Sequence, residues 1–104
     1  MRKSKEATML VKQPGEKHFT RDFGGGSVSD RVMLPSSDGC RVKTTDFRPQ
    51  AGFKVVDNRY DTDETLFVVL GRVRVWCEGM PTAQEIAAGG SFYVPANTPY
   101  TFEA

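Results

Sequence analysis

The chain is predicted to be all-β, an antiparallel sandwich or barrel, on three observations. Helix signals are nearly absent. Apolar and polar residues alternate with a period of two over most of the chain, and turns rich in Gly and Pro separate the alternating stretches at intervals of roughly 8–12 residues.

In chain order, "ATMLVKQ" and "HFTRDF" are compatible with strands, and "SVSDRVML" is predicted to be one. "FGGGS" reads as a flexible loop between them, since a chain of about this length makes one domain and leaves no room for a linker. "CRVKTTDF", "GFKVVDN", "ETLFVVL", "RVRVWCE" and "SFYVP" follow as strands, separated by "SSDG", "RPQAG", "LGR", "EGMP", "AAGG" and "PANTP". In "RVRVWCE", Val73, Val75 and Cys77 share one face, and Arg72, Arg74 and Trp76 the other. The best helix candidate, "PTAQEIAAGG", has one apolar cluster and a terminal glycine pair, so a strand entering a tight turn is preferred.

The 104 residues are read as one domain, 1–104, with residues 1–10 a frayed, solvated N-terminus carrying the basic "MRKSKEA". A net charge of +1 without a concentrated basic face gives no nucleic-acid footprint. No apolar run reaches the length of a membrane span, and no apolar core follows the basic start as a secretory signal requires. A cytoplasmic protein with reduced Cys40 and Cys77 is therefore expected, with neither nucleic acid nor membrane as a partner. A single His18 excludes a site built from several imidazoles of one chain.

Two stretches carry chemistry. Residues 52–71 read Gly52, five residues, Asn58, one residue, Tyr60, three residues, Glu64, six residues, Gly71. Residues 89–104 read Gly89, five residues, Pro95, Asn97, Tyr100 and finally Ala104, and 17 residues separate the two stretches. These spacings resemble the two motifs of the cupin family, with Asn58, Tyr60 and Tyr100 where that family has its three histidines. Asn97 stands where it often has Gly, and Ala104 where it has Asn. The resemblance covers about half the chain and implies a cupin-type jelly-roll β-barrel (a double-stranded β-helix) with one open mouth. It also implies that Asn58, Tyr60, Glu64 and Tyr100 converge inside that barrel. The even parity of 58, 60 and 64 is compatible with one inward face. Gly71 is expected at a tight hairpin turn.

Where the family holds a transition metal, this donor set is poor. Asn is a weak neutral donor, and a phenol with an ordinary pKa of ~10 stays protonated at neutral pH. No metal and no other cofactor is expected. His18 reads as an exposed strand residue, and Asp57, Asp61 and Asp63 as a solvated loop without the spacing of a calcium loop. Glu64, if buried, needs a partner or a raised pKa. Two uses remain open: a structural carboxylate held by Tyr60 or Tyr100 or paired with Lys54 or an Arg, or a general base with the tyrosines as donors to a substrate oxyanion.

The expected function is the binding of a small organic ligand by Asn58, Tyr60, Glu64, Tyr100, Lys54 and Phe102, with Leu66 and Val68 as possible neighbours. Glu64, Tyr60 and Tyr100 are the candidate catalytic groups of an isomerase, lyase or cyclase. The alternatives are a metalloenzyme with oxygen ligands and a non-catalytic dimerisation module. A homodimer is expected, with Phe67 and Val69, opposite in parity to Leu66 and Val68, contributing to its interface. The Arg72, Arg74, Trp76 stripe is either a contact surface or a face covered by N-terminal strands. Cys77 reads as a small buried side chain, having no basic neighbour to activate it.

Overall fold

A computed structural model describes residues 9–16 and 19–104. Nine strands and one short helix follow in order: β1 (Phe19–Gly24), β2 (Ser27–Met33), α1 (Pro35–Asp38), β3 (Val42–Arg48), β4 (Lys54–Asn58), β5 (Asp63–Val68), β6 (Arg72–Cys77), β7 (Gln84–Ala87), β8 (Ser91–Val94) and β9 (Tyr100–Glu103). Every predicted strand from "SVSDRVML" onward is present, and "HFTRDF" contributes β1. Residues 9–13 are irregular, with Met9 and Leu10 exposed, so the described part of "ATMLVKQ" forms no strand. The expectations for residues 1–8 and for His18 lie outside the described residues. "SSDG" becomes the single-turn α1, with Pro35 in the first turn, where a missing N–H costs nothing.

The strands form two sheets, ordered β1-β2-β3-β5-β8 and β4-β9-β6-β7. All pairs are antiparallel except β3 with β5. The exception follows from the path of the chain. After β3 it crosses to the other sheet as β4, then returns to lay β5 alongside β3 in the same direction, β4 itself serving as the crossover a parallel pair needs. For the same reason Gly71 does not close a hairpin: β5 and β6 lie in different sheets, and the turn carries the chain between them. Glycine is still required there, since φ is +76° and a Cβ would approach the Pro49 carbonyl oxygen to 3.3 Å.

Alternation sets the core. Phe47, Leu66, Val68 and Val94 face inward from the first sheet; Val73, Val75, Tyr100 and Phe102 meet them from the second, all at most 8% exposed. Phe23, Phe47, Phe53 and Phe102 form a ring cluster with centroids 4.9–6.4 Å apart. Such edge-on pairs add to the hydrophobic gain of burial. On the outer face of the second sheet Arg72, Arg74 and Trp76 are exposed, not covered. There Arg72 pairs with Glu85, and Arg74 with Glu103 at 3.7 Å.

Candidate functional site

The inward face of the first sheet changes character along its length. Beyond Phe47 and Val68 the rows continue into Lys43, Thr45, Glu64 and Arg31, all at most 6% exposed. The parallel β3–β5 register sets Lys43 directly beside Glu64, and the antiparallel β2–β3 register sets Arg31 beside Thr45. Glu64 is the hub. Its Oε1 accepts from the Tyr100 hydroxyl at 3.0 Å, and its Oε2 accepts from Thr45 Oγ1 at 3.1 Å. The Lys43 ammonium stands 3.4 Å from the same Oε2. Tyr100 Oη in turn accepts from Asn58 Nδ2 at 3.1 Å.

Asn58 reaches this network through a bulge. Val55 pairs with Phe102 and Asn58 with Tyr100, so three steps along β4 match two along β9. Asp57 takes up the extra residue with φ +52°. That irregularity reverses the parity of the strand. Without it, positions 54, 56 and 58 would share a face; with it, Val55 and Asn58 point inward while Lys54 lies exposed on the outer face opposite Glu103. Lys54 therefore stands away from Glu64, which takes Lys43 as its partner instead. Phe102, 2% exposed, sits inside the ring cluster and stacks on Tyr100 at 5.4 Å.

Tyr60, in the connection from β4 to β5, is the second focus. Its hydroxyl oxygen accepts from Arg21 Nη1 at 3.2 Å and from Arg31 Nη2 at 2.9 Å. Lys43 Nζ lies 2.7 Å from the centre of its ring, a cation–π contact. Among the described residues Tyr60 and Glu64 share no hydrogen bond; Lys43 stands between them, on the Tyr60 ring and beside the Glu64 carboxylate. Tyr60 is held in place from the backbone too, its carbonyl accepting from the Asn97 N–H at 2.7 Å. Asn97 has φ +60°, which explains why an Asn can stand at a position suited to Gly. Asn97→Gly should therefore change stability by only a few tenths of a kcal/mol, whereas Asn97→Val should cost about 1–2 kcal/mol in urea denaturation. Equal costs for both would show that this backbone geometry is not required.

Asp63 is not simply solvated. It opens β5, accepting from the Tyr93 hydroxyl and from the Ala96 N–H at 2.8 Å. These bonds, the tyrosine's first, hold its carboxyl below the usual range. They also tie the β8–β9 connection to the site.

The ionisation states follow from burial and neighbours. Burial lowers Lys43 to about 8; Glu64 opposes this, while the charges of Arg31 and Arg21 reinforce it. Burial and then the Glu64 charge push the Tyr100 phenol far up, so it stays a proton donor.

Two openings flank the hub. An apolar cleft of about 360 Å³ between the sheets is walled by Val75, Ile86, Phe92, Val94 and Tyr100, with Cys77 half-buried on its wall. A recess of about 440 Å³ lies on the other side, walled by Lys43, Tyr60, Asp61, Thr62 and, at the start of α1, Leu34, Pro35 and Ser36. The chain Tyr100–Glu64–Lys43 thus runs from one opening to the other.

The four positions that resemble cupin metal ligands do not fit a divalent ion. Asn58 presents its amide N–H₂ to Tyr100, both Glu64 oxygens are engaged by donors, and a lysine ammonium already neutralises that carboxylate. Among the described residues there is no cluster of three or more His, Cys, Asp or Glu side chains. Sequence reasoning placed Asn58, Glu64 and Tyr100 in one network and missed Arg21, Arg31, Lys43 and Thr45. The available signal was parity: Lys43 and Thr45 alternate with the buried Phe47, and Arg31 with the buried Ser27 and Ser29.

Among the described residues no helix is long and apolar enough to cross a membrane. No family model matches the chain, and no curated protein matches it. Among solved structures, the chain is similar to a protein of unknown function (DUF1255) from Acidithiobacillus ferrooxidans, at 26% identity and a TM-score of 0.49, over 99% of this chain and 89% of that one.

Proposed function

We propose that this chain is a cupin-like jelly-roll barrel, free of transition metal, that binds a small organic ligand carrying an anionic group. The observation that carries the reading is the convergence of Arg21, Arg31 and Lys43, from three successive strands, on Tyr60 beside a single buried Glu64. Cationic donors aimed at one point favour carboxylates or phosphates and oppose a metal ion. Lys43 and Tyr60 line the recess that takes the ligand, and Glu64, Tyr100 and Asn58 continue the polar network behind them.

If the site is catalytic, it suits an isomerase, lyase or cyclase that moves a proton next to a carbonyl. Glu64, with both oxygens occupied, holds Tyr100 on the wall of the cleft and Lys43 on the wall of the recess. A purely structural dimerisation module would have its interior filled. The open recess lined by Lys43, Tyr60, Asp61 and Thr62 favours ligand binding over that alternative. Self-association remains part of the proposal, with the 44% exposed Phe67 and 46% exposed Val69 at the interface. Light scattering showing a monomer at micromolar concentration would remove that part.

The main test is thermal-shift screening of the full chain against small carboxylates, phosphomonoesters and neutral isosteres. Anionic members should stabilise it, less so at high salt, and Arg21→Gln should weaken their binding by about tenfold, the worth of one charge-assisted hydrogen bond. Neutral and anionic members binding alike would overturn the reading. Stoichiometric Mn, Fe, Ni or Zn in protein purified without chelator would overturn its metal-free part.

A further inference from the structure

We propose that Lys43 is a Schiff-base-forming lysine, whose amine condenses with the carbonyl of a small 2-oxo acid entering the recess beside Tyr60. The inference deepens the proposed function and rests on it: the same cations that would hold an anionic ligand surround the amine. Four features support it. Lys43 is 4% exposed, yet it forms part of the wall of a recess of about 440 Å³, room for a small organic acid.

Second, every element packed around the amine bears on its charge. Arg21 from β1 and Arg31 from β2 repel its proton, and Glu64 from β5 attracts it. Tyr60 lies beneath it, Thr45 shares its carboxylate, Tyr100 touches that carboxylate from the other sheet, and Asp61 lies on the same recess. Third, the balance of these effects lowers Lys43 to about 8. At pH 8 about half of such a lysine is free amine, against roughly 0.3% of an ordinary one. Fourth, Glu64 Oε2 at 3.4 Å is an acceptor for the proton that the ammonium must shed.

The step balances without a redox partner. The amine lone pair attacks the carbonyl carbon, and the carbonyl π pair moves to oxygen. A proton passes from nitrogen to that oxygen to give a carbinolamine, which loses water to leave a C=N bond to Lys43. The field of Arg21 and Arg31 favours a substrate whose carboxylate adjoins the carbonyl.

The test is reductive trapping of the full chain with pyruvate and cyanoborohydride at pH 8, read by peptide mass mapping. The other five lysines, Lys3, Lys5, Lys12, Lys17 and Lys54, serve as internal controls. The expected result is an adduct on Lys43 roughly tenfold or more above any control lysine, by its larger free-amine share. The adduct should be lost in Lys43→Arg and reduced with acetone, which lacks the carboxylate. Adducts spread evenly over the lysines, or absent, would overturn the proposal, and the wild-type map decides this even if the variant fails to fold. A thermal shift with pyruvate alone separates the two levels. Stabilisation without an adduct overturns the Schiff base and leaves the anionic-ligand reading standing. Stabilisation by neither pyruvate nor any other anion overturns both.

Discussion

Replacing Glu64 by Gln is expected to destabilise the fold by about 3 kcal/mol at pH 6, among the largest effects of any single change, because it strands a buried ammonium. Lys43 and Glu64 are 5% and 3% exposed at their side chains, so water in the recess replaces the lost partner only in small part. Gln also cannot accept from Thr45 and Tyr100 on both sides at once, so one buried donor loses its acceptor. The pH dependence identifies the cause. In the wild type Lys43 is lowered to about 8 from an ordinary 10.5. The unfolded chain then binds more protons than the folded one between those values, and stability rises with pH across that window. Without Glu64, whose charge and hydrogen bond raise Lys43, the folded value drops further and the window opens at lower pH. The deficit of Glu64→Gln should therefore shrink as pH climbs toward 8 and level off above it. Adding Lys43→Met should recover part of the loss and remove the pH-dependent component. Urea denaturation of the wild type, Glu64→Gln, Lys43→Met and the double variant at pH 6, 7, 8 and 9 measures this. A deficit independent of pH would mean that the ion pair is not its source.

How much of this was legible in the sequence can be argued from particular residues. The two-sheet, all-β organisation was, because a period of two forces alternate residues to opposite faces wherever a strand covers a core. Val73 and Val75 turn inward, and Arg72, Arg74 and Trp76 outward, as alternation requires. The pairing of β3 with β5 was not, since nothing local reveals that β4 leaves for the other sheet before the chain returns. The site was legible at Asn58, Glu64 and Tyr100, where motif spacing fixes positions independently of local geometry. It failed at Lys54, because one residue in the left-handed region at Asp57 inverts the strand's parity, and an Asp that tolerates that region does not by itself mark a bulge within a strand. It missed the cations because Arg21, Arg31 and Lys43 come together only through register across three strands. Parity places Lys43 and Arg31 on the buried faces of their strands, but it does not say which strands lie side by side.

Phe47→Ala is the second large effect, expected at about 3–5 kcal/mol, the range for emptying an aromatic site in a core. Phe47 is fully buried and touches Phe23, Phe53 and Phe102, rings supplied by β1, the β3–β4 connection and β9. It therefore joins both sheets at the apolar end of the sandwich, and its removal leaves a cavity between three rings. A domain of this size shifts its melting temperature by about 4–8 °C per kcal/mol, so the variant should melt well over 10 °C lower or not fold at 37 °C. The damage should also travel. Phe102 contacts the Phe47 ring at 5.3 Å and stacks on Tyr100, whose hydroxyl holds Glu64. Anion-induced stabilisation should thus fall in Phe47→Ala even under conditions where it is fully folded, since the cavity loosens the stack that positions Tyr100. Phe67→Ala is the matched control, because Phe67 is 44% exposed on the outer face of the same sheet and contacts none of these rings. It should cost under about 1 kcal/mol and leave anion binding intact. If the two substitutions cost the same, Phe47 does not join the two sheets, and the route from the aromatic core to Glu64 fails with it.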